Sequence, residues 1–266
     1  MSTPRRDFLK SSLALSAVTV LPATASAAST QPRRDWYELR AYRLKSADAP
    51  ASLLHGYLER ALIPACNRLG AKPVGVFTET APKEAPAVWV LIPHATFDSF
   101  VATQALIESD PALQAAGAAY LQTPKTDPAF ERIDSWLLQA FTGMPVMEVP
   151  EFSRTRQPKR IFELRMYESY SEERALRKIA MFNEGEIDVM RRVGLAPLFF
   201  GQAMTGPNLP HLTYITGAAD PEAHQQHWKG FRDDPQWAKL KIDPRYADTV
   251  SKNTPRLLAP TAYSQI

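Results

Sequence analysis

The sequence repeats itself once, with a period of about 124 residues. The set Glu38, Leu39, Arg40 and Tyr42 returns as Glu163, Leu164, Arg165 and Tyr167, each displaced by 125 positions. Four later landmarks return with a displacement of 124: Gly70 as Gly194, Pro73 as Pro197, Pro86 as Pro210, and Asp110-Pro111 as Asp234-Pro235. Chance does not hold one register over so many landmarks, so the chain contains two homologous halves that must share one fold.

The repeat also sets the domain boundaries. We place the first domain at residues 35–141 and the second at residues 160–266. The segment between them, 142–159, contains Gly143 and three prolines, a composition typical of an extended linker.

Each half has the same predicted order of elements. In the first half, alternating residues predict strands, and apolar residues at helical spacing predict helices. The predicted strands are 35–44, 73–80, 88–92 and 133–141, and the predicted helices are 51–69 and 97–106, with a further short helix beginning at Pro111. The order β-α-β-β-α-β is that of the ferredoxin-like unit, so we predict an α+β chain with two such units in tandem.

The first strand of each half has one apolar and one polar face. Tyr37, Leu39 and Ala41 alternate with Glu38, Arg40 and Tyr42, and the second half repeats the pattern with Glu163, Arg165 and Tyr167 on the polar face. We predict that the apolar face packs against helices. The polar face would then line the interior of a barrel formed by the two facing sheets.

The repeated Glu, Arg and Tyr residues form the candidate ligand-binding site, with two interpretations. In one, the arginines hold an anionic or carbonyl group, the tyrosines donate hydrogen bonds or stack, and Glu38 or Glu163 acts as a general base if burial raises its pKa. In the other, the carboxylates and guanidinium groups pair across the pseudo-twofold axis and only fix how the halves dock.

Residues 1–27 have the features of an export signal. The block Arg5-Arg6-Asp7-Phe8-Leu9-Lys10 resembles the twin-arginine motif, with Arg5, Arg6, Phe8 and Leu9 at its fixed positions. A short apolar run follows, and Ala25-Ser26-Ala27 fits a cleavage site. We therefore predict recognition by the twin-arginine export machinery, cleavage near Ala27 and a periplasmic or otherwise exported protein.

Composition and motifs exclude several classes of function. A formal net charge of +3 is too small for a nucleic-acid-binding surface, so we expect no nucleic-acid partner. Cys66 is the only cysteine, which excludes intramolecular disulfides and Cys-based metal sites, and we expect it to be a buried, inert thiol. His224 and His227 are three residues apart, but their polar neighbours predict a solvated helix face. We predict no metal site and no cofactor.

Several segments resemble the NIPSNAP family. They are Tyr37 to Tyr42, Phe162 to Tyr167, Phe182 to Glu186, Val193 to Leu195, Phe199 to Gln202, Trp237 after Asp234-Pro235, and Leu257 to Ser264. The likeness covers most of the chain after residue 35 and is strongest in the second half, whereas Leu113 stands in the first half where Trp237 stands in the second. The resemblance implies a dimeric α/β barrel, here fused in one chain, and implies no settled activity. Other branches of that fold include cofactor-free monooxygenases and haem enzymes, and applying their chemistry here is an analogy from fold alone.

Two functions are compatible with the sequence. The first is binding of a small apolar or aromatic molecule in the barrel or in a cleft between strands and helices, with cofactor-free oxygenase-type chemistry as an extension. The second is a non-catalytic scaffolding or interaction protein. We expect a homo-oligomer. An accessible Glu/Arg/Tyr face favours the first function, and fully interlocked pairs favour the second.

Overall fold

The computed structural model describes residues 33–46, 51–82 and 85–266. The predicted export signal at residues 1–27 lies outside these ranges. Among these residues, each helix is too short or too polar to span a lipid bilayer.

In its described residues, the first half contains four strands, five α-helices and a π-helical turn. Its elements are β1 (Trp36–Arg43), α1 (Ser52–Tyr57), a π-helical turn (Leu58–Leu62), α2 (Ile63–Arg68), β2 (Gly75–Glu79), β3 (Ala87–His94), α3 (Phe97–Gln104), α4 (Leu106–Ser109), α5 (Pro111–Leu121) and β4 (Arg132–Ala140). Thr96 and Asp110 cap α3 and α5 through their side-chain oxygens, as is usual where a helix follows an extended residue.

The second half repeats this order after one helical turn, α6 (Glu151–Arg154), in the segment 142–159. Its elements are β5 (Ile161–Glu168), α7 (Glu172–Met181), a π-helical turn (Phe182–Glu186), α8 (Ile187–Arg192), β6 (Ala196–Thr205), β7 (His211–Ala218), α9 (Pro221–Asp233), α10 (Pro235–Leu240), a 3-10 turn (Pro244–Tyr246) and β8 (Lys252–Pro260). The two π-helical turns lie 124 residues apart, so the repeat is preserved even in this irregular feature.

The eight strands close into one barrel in the order β1-β3-β2-β8-β5-β7-β6-β4, and every neighbouring pair is antiparallel. The predicted fold class, two ferredoxin-like units that form a dimeric α/β barrel within one chain, is therefore confirmed. The halves meet at two seams, β2–β8 and β4–β6. The β2–β8 seam is short, since Phe77, Thr78 and Glu79 of β2 pair with Pro260, Ala259 and Leu258.

The predicted orientation of the first strands is wrong. Tyr37 and Leu39 point into the barrel, where they pack with Phe77, Phe162 and Phe199 in one fully buried cluster. Ring centroids lie 4.7 Å apart for Tyr37 and Phe199, and 5.2 Å apart for Phe77 and Phe162. A closed barrel of eight strands is filled by the side chains that point inward, so the larger apolar face occupies it.

The Glu/Arg/Tyr face instead lies between the sheet and the helices. Tyr42 packs in an apolar cluster with α1, α2 and α5, and Tyr167 packs in the corresponding cluster of the second half. A ligand bound by these residues would therefore lie between strands and helices, not in the barrel.

One end of the barrel is covered and the other contains a cavity. Met147, Val149 and Phe152 from the segment between the halves pack on the barrel core, and the C-terminal residue Ile266 is buried in the same cluster. A cavity of about 230 Å³ lies at the opposite end, where β1 and β5 terminate. Trp89 and Trp136 stack there with a centroid distance of 5.9 Å.

Candidate functional site

In the first half, Glu38 is held by a dense set of hydrogen-bond donors. Arg40 binds it in a bidentate manner, with Nε to Oε1 at 2.6 Å and Nη2 to Oε2 at 2.9 Å. Gln104 of α3 donates to Oε2 at 3.0 Å, and Ser135 of β4 donates to Oε1 at 3.3 Å. Glu38 is 2% exposed. These contacts satisfy the buried carboxylate completely, as a stable buried ion pair requires.

Arg40 is equally well satisfied. Its third nitrogen, Nη1, donates to the hydroxyl oxygen of Tyr42 at 3.4 Å. His94 lies nearby with Nε2 at 3.9 Å from Glu38 Oε2, and burial lowers the pKa of His94 to about 4, so the ring is neutral at pH 7. The first copy of the site is therefore an interlocked polar cluster.

In the second half, Glu163 has a different set of partners. It accepts hydrogen bonds from Arg165 Nη1 at 3.1 Å, His224 Nε2 at 3.0 Å and Trp228 Nε1 at 2.6 Å. The two additional donors come from α9, which occupies the place of α3 in the first half. Trp228 corresponds to Gln104 in the repeat and makes the same bond to the carboxylate, whereas His224 corresponds to Phe100.

These donors determine the ionisation of Glu163. Burial by itself favours the neutral carboxyl, but the hydrogen bond from His224 and the charge of Arg165 outweigh it and lower the pKa of Glu163 below its ordinary value. Glu163 therefore remains ionised at pH 7 and is a poor general base. The predicted base role is not supported at this position, and the imidazole that Glu163 orients takes its place as the candidate base.

Aromatic rings surround the Arg165 guanidinium. Its central carbon lies 4.7 Å from the Trp228 ring centroid and 5.6 Å from that of Tyr167, within the range of a cation–π interaction. The Tyr167 hydroxyl lies 3.1 Å from that of Tyr214 on the neighbouring strand. Tyr167 thus belongs to the buried side of the site, while Arg165 and Trp228 form its outer wall.

A cleft of about 1110 Å³ opens beside this second copy. It lies between α9 and strands β5 and β8, and Glu163, Arg165, His224 and Trp228 all border it. The remaining wall includes apolar Ile161 and Leu257 and the basic residues Lys229, Arg232 and Arg256. Neither this cleft nor the cavity at the barrel end is lined by Glu38, Arg40 or Tyr42.

The cleft and the barrel-end cavity share part of their walls. Glu79, Thr254 and Arg256 line both. Arg256 Nη1 donates to both oxygens of Glu79, at 3.1 and 3.2 Å, and Glu79 also accepts from Trp89 Nε1 at 2.9 Å. This cluster stands at the β2–β8 seam, so it separates the inside of the barrel from the outer cleft.

A buried ion pair lies beneath the second copy of the site. Lys178 Nζ donates to Glu186 Oε2 at 2.7 Å, and the ring of Phe182 lies 4.7 Å from the ammonium group. Burial raises the pKa of Glu186 although the Lys178 charge opposes the shift. The first half has Leu54 and Leu62 at the corresponding positions, both buried.

The structure changes the interpretation of the predicted site residues. The six predicted residues do not come together, because the ion pairs form within one strand, Glu38 with Arg40 and Glu163 with Arg165, and not across the pseudo-twofold axis. A side chain two positions along a strand lies on the same face, so each carboxylate finds its partner locally. Whether these residues bind a ligand stays a prediction.

Sequence reasoning missed His224 and Trp228. We expected His224 on a solvated helix face, but it is 8% exposed and bonded to Glu163. The repeat could have identified Trp228, because it aligns Trp228 with Gln104, and the two helices that contain them begin at equivalent positions.

Cys66 is buried as predicted, and burial raises its pKa to about 11. Across the ranges that the structure describes, no three His, Cys, Asp or Glu side chains are grouped to hold a metal ion.

In the comparison with known proteins, the NIPSNAP family model matches residues 162–265 of this chain. No curated protein matches the sequence. Among solved structures, a candidate monooxygenase from Fusobacterium nucleatum superposes with a TM-score of 0.55 at 9% identity, over 86% of this chain and 93% of that one. A second candidate monooxygenase, from Lactobacillus acidophilus, has a TM-score of 0.54 at 8% identity, over 85% and 94% of the two chains. A NIPSNAP-like protein from Burkholderia xenovorans is 18% identical over 40% of this chain and 89% of its own, with a TM-score of 0.36. At these identities the likeness to solved structures establishes the fold alone.

Proposed function

We propose that this chain is an exported NIPSNAP-family protein that binds a small aromatic molecule in the cleft between α9 and strands β5 and β8. One observation carries the proposal: the second copy of the Glu-Arg-Tyr strand borders a large cleft, where Trp228 and His224 join it. Glu38, Arg40 and Tyr42 of the first copy line neither this cleft nor the barrel-end cavity. Clefts that combine apolar walls with a few oriented polar groups are the usual form of small-molecule sites.

The chemistry of the wall favours an aromatic ligand. Trp228 is partly exposed and carries the Arg165 guanidinium against its ring, so the two groups together present a flat surface. Ile161 and Leu257 add apolar area. A planar ring stacked along this wall buries apolar surface beside a charge that is already paired, because Arg165 forms an ion pair with Glu163.

The same cleft contains an imidazole beside an ionised carboxylate, a pair suited to the proton transfer with which oxygenase-type chemistry without a cofactor begins, dioxygen then being the oxidant. An ionised Glu163 only accepts hydrogen bonds, so we assign the hydrogen of this contact to His224 Nε2, and in the neutral ring Nδ1 would then be the proton acceptor. Transfer of a phenolic or enolic proton to Nδ1 would give an electron-rich anion, and the ionised Glu163 would stabilise the resulting imidazolium. The monooxygenase assignment of proteins with this fold is consistent with such a step.

Grafting the first-half residues into the second half tests this proposal. The double variant His224→Phe with Trp228→Gln keeps a donor for Glu163, as Gln104 does for Glu38, but removes the aromatic wall and the imidazole. We expect isothermal titration with a panel of neutral and acidic two-ring aromatic compounds to detect binding to the wild type and no binding to the folded double variant. Gln104→Ala in the first half is the matched control and should bind normally. Equal binding by the double variant and the wild type would refute the proposed site.

The alternative, a non-catalytic scaffolding protein that self-associates, has support from the first half. There every nitrogen of Arg40 is hydrogen-bonded, so that copy has the interlocked form expected of a purely structural cluster. Gel filtration of the same variants separates the two functions, because a scaffold loses its oligomeric state while a binding protein loses its ligand.

A further inference from the structure

The two arginines of the repeated motif differ in how many donors they use. In the first half, Nε, Nη1 and Nη2 of Arg40 all have hydrogen-bond acceptors. Among the described residues, Arg165 bonds through Nη1 alone, and its Nε is a buried donor without a partner. A buried donor without a partner, such as this Nε, is unusual, because an unsatisfied buried donor costs free energy.

A second arginine on the cleft wall also has unused donors. Arg256 contacts Glu79 only through Nη1, and no residue in the described ranges accepts a hydrogen bond from its Nε or Nη2. The side chain is 34% exposed. It stands next to the β2–β8 seam, beyond the end of β2, where β8 pairs with β5 alone. The Nε and Nη2 groups of one guanidinium form a planar fork that matches a carboxylate.

The charged side chains that line the cleft also favour an anionic ligand. Four cationic side chains line it, those of Arg165, Lys229, Arg232 and Arg256. Arg165 and Arg256 pair with the lining carboxylates of Glu163 and Glu79, and Lys229 pairs with Asp233 at 2.7 Å. Within the part of the chain that the structure describes, no carboxylate forms an ion pair with Arg232. A cleft with an excess of positive charge and low-dielectric walls concentrates anions.

The geometry points to an aromatic carboxylate as the ligand of this cleft, with its carboxylate on the Nε/Nη2 edge of Arg256 at the seam and its ring along Trp228. The inference rests on the proposed function, since it specifies the ligand of the same site. The Glu79 bond to Nη1 is retained in this arrangement, so binding needs no rupture of the existing pair. Arg256 is then the residue that selects an acid over a neutral molecule of the same shape.

Matched pairs of ligands test the inference directly. Benzoate, 2-naphthoate and biphenyl-4-carboxylate would be titrated against the corresponding amides, which keep the shape and lose the charge. We expect the wild type to bind at least one acid about tenfold or more tightly than its amide, the size of effect typical of a hydrogen bond to a charged group. Arg256→Lys keeps a cation beside Glu79 and removes the planar fork, and it should lose most of this preference while its affinity for the amide stays constant.

Arg43→Gln is the matched control. Arg43 is also an arginine paired with a carboxylate, that of Asp134, but it lines only the barrel-end cavity. The control should retain the preference for the acid. If an amide binds the wild type as tightly as its acid, the carboxylate assignment is wrong and the proposed aromatic site stands. If neither acids nor amides bind, both are wrong. If Arg256→Lys keeps the full preference, Arg256 is not the anchor.

Discussion

The buried pair of Lys178 and Glu186 gives a quantitative prediction, because the chain contains its own apolar equivalent. Their side chains are 6% and 2% exposed, and the ammonium and carboxylate are 2.7 Å apart. The corresponding first-half residues, Leu54 and Leu62, occupy the same two positions around the same π-helical turn. The backbone of this unit therefore accepts either an ion pair or two leucines.

Removal of one partner should be costly. In Lys178→Leu the carboxylate of Glu186 stays buried without its cation, and breaking a buried pair in this way costs about 3–5 kcal/mol. For a chain of this size, each kcal/mol lowers the melting temperature by about 2–4 °C, so the single variant should melt roughly 6–20 °C below the wild type at pH 7. The double variant Lys178→Leu with Glu186→Leu should melt near or above the wild type, since replacing a buried pair by apolar residues is often neutral or stabilising.

The pH dependence of the single variant provides a second test. Burial already raises the pKa of Glu186 above its usual 4.5, and loss of Lys178 removes the opposing charge. A carboxyl whose pKa is higher in the folded state binds more protons when folded, so stability is present at low pH and is lost as pH rises above about 4.5. Lys178→Leu should therefore be less destabilised at pH 5 than at pH 7 in differential scanning calorimetry. A double variant as unstable as the single one, or a single variant with no loss at pH 7, would refute the reasoning.

Three further predictions concern other parts of the chain. Cys66 should resist alkylation by iodoacetamide at pH 8 in the native protein and react after denaturation, because burial raises its pKa to about 11. Gly201→Ala should destabilise the barrel by about 1–3 kcal/mol in urea titration, since a Cβ there would lie 2.8 Å from a side chain of β4, whereas Gly230→Ala meets only ordinary contacts and serves as the control. Replacing Arg5 and Arg6 by lysine should retain the full-length precursor in the cytoplasm on cell fractionation, if the segment is the export signal we propose.

The fold could be predicted from the sequence because the repeat and the strand alternation depend on backbone geometry. Asp110-Pro111 and Asp234-Pro235 begin helices in both halves, as expected from residues that cap and start a helix. The alternation of β1 separates its two faces correctly. The alternation does not predict which face points into the barrel, because both faces of a strand in this fold are covered, one by the barrel interior and one by helices.

The site was predicted in part for a related reason. Glu163 and Arg165 are adjacent on one strand face and could be found from the sequence. Their partners His224 and Trp228 lie on a helix about 60 residues later in the chain. The polar neighbours of His224 predict an exposed helix face, although the His224 side chain itself is buried against Glu163. Each guanidinium nitrogen of Arg40 has a hydrogen-bond acceptor, whereas Arg165 bonds through Nη1 alone among the described residues. This difference depends on interatomic distances, which a sequence motif does not give.

Native mass spectrometry tests the central claim most directly. The mature protein would be purified from its native host beside the double variant His224→Phe with Trp228→Gln and the control Arg43→Gln. We predict that the wild type and the control carry one bound small molecule with the mass of an aromatic acid, and that the folded double variant is empty. A wild type without a bound molecule, or a molecule that stays bound to the double variant, would contradict the assignment of the cleft as the ligand site.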